Sequence, residues 1–103
     1  LSLRQHPSGA SIIDDSYNAN PGSLQAAIDT LAGGPEQGWL VLGDMRELGA
    51  DAEALHADMG RRARSAGIAR LFTVGELAAA ASRAFGAGGE HFDSQAQLAE
   101  HLR

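Results

Sequence analysis

The sequence contains no cysteine and no lysine. Without cysteine there is no disulfide framework, no thiol nucleophile and no Cys-based metal site, a composition that fits the cytosol without requiring it. Without lysine there is neither a P-loop nor Schiff-base chemistry, so any phosphate transfer must borrow parts from elsewhere. Long apolar runs are also missing. The longest are far too short to cross a bilayer, and no charged-then-apolar signal segment is expected at the start, so no membrane span is expected. Basic charge is scarce: 8 arginines stand against 13 acidic residues, for a net charge of −5. Nucleic-acid binding needs a basic footprint that displaces counterions, and this balance disfavours it.

What remains is ordinary for a globular chain. With 103 residues, 44% hydrophobic and 20% charged, there is room for one domain and one core. Leu1-Ser2-Leu3-Arg4 and Ser11-Ile12-Ile13-Asp14 read as two strands joined by a turn at Pro7-Ser8-Gly9, giving a hairpin whose first strand lies at a sheet edge. Leu24, Ala27, Ile28 and Leu31 fall on one helical face, with Asn20 as cap, Pro21 at the first helical position and Gly33-Gly34-Pro35 as the stop. Trp39-Leu40-Val41-Leu42 is a short continuous apolar run, as a strand buried on both faces requires. A second helical stripe is expected at Ala52, Leu55, Met59, Ala63 and Ala66, closed by Gly67. Leu71–Val74 is the next strand. A helix carrying Leu77, Ala80, Ala81, Ala84 and Phe85 follows it, then a glycine-rich stretch and a short strand at His91-Phe92-Asp93. Ser94 and Gln97 make a capping box for a last helix that buries Leu98 and Leu102. Strands alternating with helices predict an α/β fold: a mostly parallel sheet covered on both faces, with an antiparallel N-terminal edge hairpin.

In open α/β sheets ligands bind beyond the carboxyl ends of the strands. The loops expected there are Asp14–Pro21, Gly43–Gly49 and Gly75-Glu76. The first, Asp14-Asp15-Ser16-Tyr17-Asn18-Ala19-Asn20-Pro21, packs carboxylates, a phenol and carboxamides before a helix start. These groups suit ribose hydroxyls, hydrated Mg²⁺ or a purine edge, and the helix start favours anions. The structural alternative is an Asx turn at Asp15 and Ser16 with Asn20 acting only as a cap, which for Asn20 alone is the better reading. The second, Gly43-Asp44-Met45-Arg46-Glu47-Leu48-Gly49, offers both charge signs at a strand end. Arg46 could hold a carboxylate and an acidic neighbour an ammonium, or Arg46 could pair internally with Asp44 or Glu47; spacing alone leaves these level. His6, His56, His91 and His101 share no metal-ligand spacing and read as surface residues. Arg61, Arg62 and Arg64 read as a solvated helix face, and no Ser–His–Asp arrangement follows from spacing, so no catalytic residue or metal ligand is assigned.

Taken together, Ile12-Ile13-Asp14-Asp15-Ser16-Tyr17-Asn18-Ala19-Asn20-Pro21 and Leu42-Gly43-Asp44-Met45-Arg46-Glu47-Leu48-Gly49 resemble the C-terminal domain of the Mur ligases. The Glu53–His56 stretch, Gly67-Ile68 leading into Leu71-Phe72, Val74-Gly75 and His91-Phe92 extend the resemblance over nearly all of the chain. It implies a Rossmann-like three-layer sandwich, at residues 1–103 an excised and partly truncated piece, inactive alone, of a three-domain cytoplasmic bacterial enzyme. The partners implied are the N-terminal and central domains of that enzyme, UDP-MurNAc-tripeptide and D-Ala-D-Ala, within peptidoglycan precursor synthesis. The cofactors implied are ATP and Mg²⁺, bound mainly by the central domain. Asp15, Tyr17, Asn18, Asn20 and Pro21 match the family's Asp-Tyr-X-X-X-Pro type segment that lines the nucleotide site. Sister ligases often carry His where this chain has Asn, and an extra serine precedes the tyrosine, so which of Asn18 and Asn20 takes the histidine's place stays open. Asp44, Arg46 and Glu47 fall where sister ligases place loops near the incoming amino acid, implying contact with D-Ala-D-Ala. The Lys-Gly-Ser-Arg type segment of the family has no counterpart here. Folylpolyglutamate and cyanophycin synthetases share the architecture, but their nucleotide segment usually contains His-Asn-Pro, unlike Asn18-Ala19-Asn20-Pro21. The competing readings are a stand-alone nucleotide-binding module and a purely structural domain.

Overall fold

The computed structural model describes residues 3–17 and 19–103; Leu1, Ser2 and Asn18 lie outside them. Strand β1 (Leu3–Gln5) runs antiparallel to β2 (Ser11–Asp15), with Leu3 opposite Ile13 and Gln5 opposite Ser11. The turn between them closes where the Gly9 N–H donates to the His6 carbonyl at 2.9 Å. The expected edge hairpin is therefore present, although its Leu1 end falls outside the described residues.

From β2 onward the chain alternates. Helix α1 (Pro21–Ala32), strand β3 (Gly38–Leu42), a 3₁₀ turn (Gly49–Asp51), helix α2 (Ala52–Ser65) and strand β4 (Arg70–Val74) come first. Helix α3 (Ala79–Phe85), strand β5 (Gly89–Phe92) and helix α4 (Gln95–His101) complete the described chain. The sheet order is β1-β2-β3-β4-β5, and every pair from β2 to β5 is parallel. Because the strands advance steadily in one direction, right-handed crossovers put α1, α2 and α3 on the same face. Ile13, Leu40, Leu42 and Leu71 pack there with Leu24, Ile28 and Leu31 of α1, Met59 and Ala63 of α2, and Phe85 of α3. The alternate strand residues Ile12, Val41, Phe72 and Val74 meet Leu98 and Leu102 on the opposite face. The three-layer arrangement holds, with the second layer of helix supplied by α4 alone among the described elements.

Helix ends follow local chemistry. Asn20 caps α1 in a reciprocal box: its Oδ1 accepts from the Ser23 N–H at 2.9 Å, and the Ser23 Oγ accepts from the Asn20 N–H at 3.1 Å. Helix α2 ends in a Schellman pair, the Gly67 N–H donating to Arg64 O and the Ile68 N–H to Ala63 O, each at 3.1 Å.

Several boundaries differ from expectation. The buried face of α2 carries His56, Met59, Gly60 and Ala63, whereas Leu55 is partly exposed and Ala66 lies in solvent. The face is rotated because a buried polar group, His56, occupies the position that the apolar pattern gave to Leu55. Leu77 sits in the turn before α3, and β5 starts at Gly89, two residues early, drawing part of the glycine-rich stretch into the sheet. At α4, Ser94 accepts from the Gln97 N–H at 3.2 Å, but the Gln97 Oε1 accepts from Asp93 N rather than from the cap itself, so half of the expected box forms.

Candidate functional site

The carboxyl ends of β2, β3 and β4 lie side by side, since Asp15 is opposite Leu42 and Leu42 opposite Thr73. The loops that leave those ends are pressed together. A Cβ on Gly43 would collide with the carbonyl oxygen of Ser16 and lie 3.0 Å from its carbon, so only glycine lets the two loops meet there. Gly75 is similarly confined: its φ is +108°, and the Asp44 carboxylate fills the space where its side chain would be. The Asp44 Oδ1 accepts from the Ala78 N–H at 2.7 Å, tying the loop after β3 to the turn before α3.

An open hollow of about 420 Å³ results, lined by Ser16, Tyr17, Asp44, Arg46, Gly75 and Gln95. An adjoining hollow of about 330 Å³ is lined by Ala19, Asn20, Asp44, Arg46 and Glu47. Residues from as far apart in sequence as Ser16 and Gln95 thus share one surface, with Asp44 and Arg46 common to both parts.

Each sequence-assigned residue except Asn18 has a definite place. Asp15 is half-buried and its Oδ2 accepts from the Ser23 Oγ at 3.0 Å, which braces the first turn of α1. Tyr17 is 69% exposed at the rim. Asn20 and Pro21 are the cap and first residue of α1, so Asn20 performs the capping role that its position alone favoured. Asn18 lies outside the described residues. The Asx turn forms one residue earlier than expected, with the Asp14 Oδ1 accepting from both the N–H and the hydroxyl of Ser16. Arg46 and Glu47 are exposed, and among the described residues no ion pair joins Arg46 to Asp44 or Glu47. Glu47 adopts φ +63°, a left-handed conformation that L side chains take at a cost of roughly 1–2 kcal/mol.

His56 departs most from expectation. It is fully buried rather than on the surface, and it accepts the Met45 N–H on Nε2 at 2.8 Å while Nδ1 meets the Ala52 carbonyl at 2.6 Å. Its spacing of four from Ala52 on the inward side of α2 was the available signal. His91 also has a partner, with Nδ1 2.8 Å from the hydroxyl of buried Thr73. The arginine face holds as a surface. Arg62 pairs with Asp58 at 2.8 Å, while Arg64 donates to the Ala87 carbonyl and lies over the Phe85 ring.

The family described as "Mur ligase, glutamate ligase domain" matches residues 1–103. The chain belongs to the Mur ligase family. It is 48% identical over 92 residues to the UDP-N-acetylmuramoyl-tripeptide–D-alanyl-D-alanine ligase of Escherichia coli, covering 89% of this chain and 20% of that protein. The ligase of the same name from Mycobacterium tuberculosis is 45% identical over 73 residues, covering 65% of this chain and 14% of that one. A crystal structure of MurF from Acinetobacter baumannii superposes with a TM-score of 0.77 at 32% identity, covering 99% of this chain and 23% of that one. MurF from Thermotoga maritima in complex with ADP superposes at 0.69 with 25% identity, covering 97% and 23%. The chain spans about a fifth of the length of the curated Mur ligases from Escherichia coli and Buchnera aphidicola that it matches. No described helix is long and apolar enough to cross a membrane.

Proposed function

We propose that this chain is the C-terminal domain of an ATP-dependent ligase that joins D-Ala-D-Ala to UDP-MurNAc-tripeptide, acting in the cytoplasm with N-terminal and central domains of the same enzyme. The observation that carries the reading is the convergence of the two polar loops on one hollow at the strand ends, in a chain whose relatives bear that ligase name. In such a reaction a carboxylate oxygen of the tripeptide attacks the γ-phosphorus of ATP and ADP leaves. The dipeptide amine then attacks the acyl carbon of the mixed anhydride, phosphate departs, and the nitrogen loses a proton. With no lysine, this chain supplies no P-loop, so phosphate activation belongs to the central domain.

The chain's own contribution is to bind and orient. On this reading the string of Asp15, Tyr17, Asn18, Asn20 and Pro21 serves the nucleotide, supported by the start of α1, whose positive end favours an anion. Asp44, Arg46 and Glu47 form the dipeptide side. Arg46 is exposed at the hollow and suits the dipeptide carboxylate in a bidentate grip, and Glu47 suits its ammonium. Among the described residues no group of three or more His, Asp or Glu side chains is placed to hold a metal. Magnesium would enter as the companion of ATP, bound mainly by the central domain, and would offset the charge on the phosphates.

The test is acceptor dependence. The complete enzyme, supplied with ATP and UDP-MurNAc-tripeptide, should release ADP and form the pentapeptide product only when D-Ala-D-Ala is added. Turnover with glutamate in place of the dipeptide, and none with D-Ala-D-Ala, would move the chain to another branch of the family.

A further inference from the structure

The Met45 N–H sits just past the end of β3, beyond the sheet ladder, and both Met45 and His56 are fully shielded from solvent. A backbone N–H left without a partner in such a place is costly. The N–H can only donate, so the His56 Nε2 accepts and carries no proton; the Ala52 carbonyl can only accept, so Nδ1 carries it. The two bonds hold a neutral imidazole in one tautomer and one orientation. As filler for an apolar core, a leucine or methionine would serve better. What histidine adds is an acceptor aimed from α2 at the loop. One residue earlier, Asp44 is held by the Ala78 N–H, and one residue later the chain turns outward at exposed Arg46 and left-handed Glu47.

We infer that His56 is a positioning residue for the amino-acid acceptor. It fixes the Met45 backbone so that Arg46 leaves a rigid point and meets the acceptor carboxylate without first ordering the loop. This rests on the reading above, in which Arg46 grips the dipeptide. Preorganisation of this kind acts on acceptor binding and leaves nucleotide binding alone.

The experiment compares His56→Met, which fills similar volume without the acceptor, with His56→Gln, which keeps an oxygen within reach, and with Arg46→Ala, all in the complete enzyme. His56→Met should raise KM for D-Ala-D-Ala about tenfold, the scale of one lost buried hydrogen bond, and leave KM for ATP unchanged. His56→Gln should recover most of that loss. Equal increases for both substrates, or no recovery in His56→Gln, would overturn the positioning role. If Arg46→Ala leaves KM for D-Ala-D-Ala unchanged, the acceptor reading itself fails. If Arg46→Ala raises it and His56→Met does not, only the His56 inference fails. Should His56→Met not fold, the wild-type protein still decides the geometry. Nitrogen-15 spectra should show a protonated Nδ1 and a bare Nε2, with a slowly exchanging Met45 amide. The opposite tautomer, or a rapidly exchanging amide, would overturn it.

Discussion

Gly43→Ala tests whether the two candidate loops are in contact. Gly43 has no left-handed conformation to lose, so alanine carries no backbone penalty there, and restricting the unfolded chain would on its own stabilise by roughly 0.4–1 kcal/mol. The added Cβ, however, would run into the Ser16 carbonyl, with the carbonyl carbon at 3.0 Å and Cα at 3.2 Å. These are main-chain atoms between β2 and α1, and they can retreat only by moving the whole loop. Overpacking against such an obstacle costs about 1–3 kcal/mol. A central cost of about 2 kcal/mol less that entropic gain leaves a net loss of about 1–1.6 kcal/mol, and for a domain of about this size each kcal/mol lowers Tm by roughly 4–8 °C, so a fall of roughly 4–13 °C is expected. The assay is thermal unfolding followed by far-ultraviolet circular dichroism on wild type and variant side by side. In the complete enzyme the same variant should weaken use of both ATP and D-Ala-D-Ala, because it separates the loops assigned to each. An unchanged or raised Tm would show that the loops do not touch as described, and the shared hollow would lose its basis.

Other substitutions probe separate parts of the account. Asn20→Ala removes the cap of α1 and should destabilise by about 1 kcal/mol in urea unfolding. Phe72→Ala empties a fully buried position between Trp39 and Phe92 and should cost about 3–5 kcal/mol by the same measurement. Arg62→Ala breaks an exposed pair with Asp58 and should change stability by less than about 0.5 kcal/mol, a shift that added salt would mask.

Much of the architecture was readable from local pattern because local physics produced it. The strand from Trp39 to Leu42 is continuous and apolar because β3 lies mid-sheet with helices on both sides. The helical spacing of Leu24, Ala27, Ile28 and Leu31, bracketed by Asn20 and Gly33, identified α1 with its correct face and ends. The misses share a cause. Periodicity counts apolar residues and so points the face of α2 through Leu55, whereas the inward position belongs to His56, whose partner Met45 lies eleven residues away in a loop. The bond from Ala78 to Asp44 spans 34 residues and has no local signature. Gly89 reads as loop by composition, yet it pairs with Leu71 as the first residue of β5. At the candidate site, the polar strings pick out two loops that meet at one hollow. Their mutual approach through Gly43 and Gly75 is a tertiary fact that spacing does not contain.

The most direct measurement of the central claim is the steady-state kinetics of Arg46→Ala in the complete enzyme, with ATP and D-Ala-D-Ala varied in turn. Arg46 is exposed and without an ion pair among the described residues, so Tm should stay within about a degree, as for other surface changes. Loss of a charge-assisted grip on a carboxylate, about 1.5–3 kcal/mol, should lower kcat/KM for the dipeptide roughly ten- to hundredfold. The kcat/KM for ATP, measured at saturating dipeptide, should stay near its wild-type value. A dipeptide kcat/KM equal to wild type would contradict it.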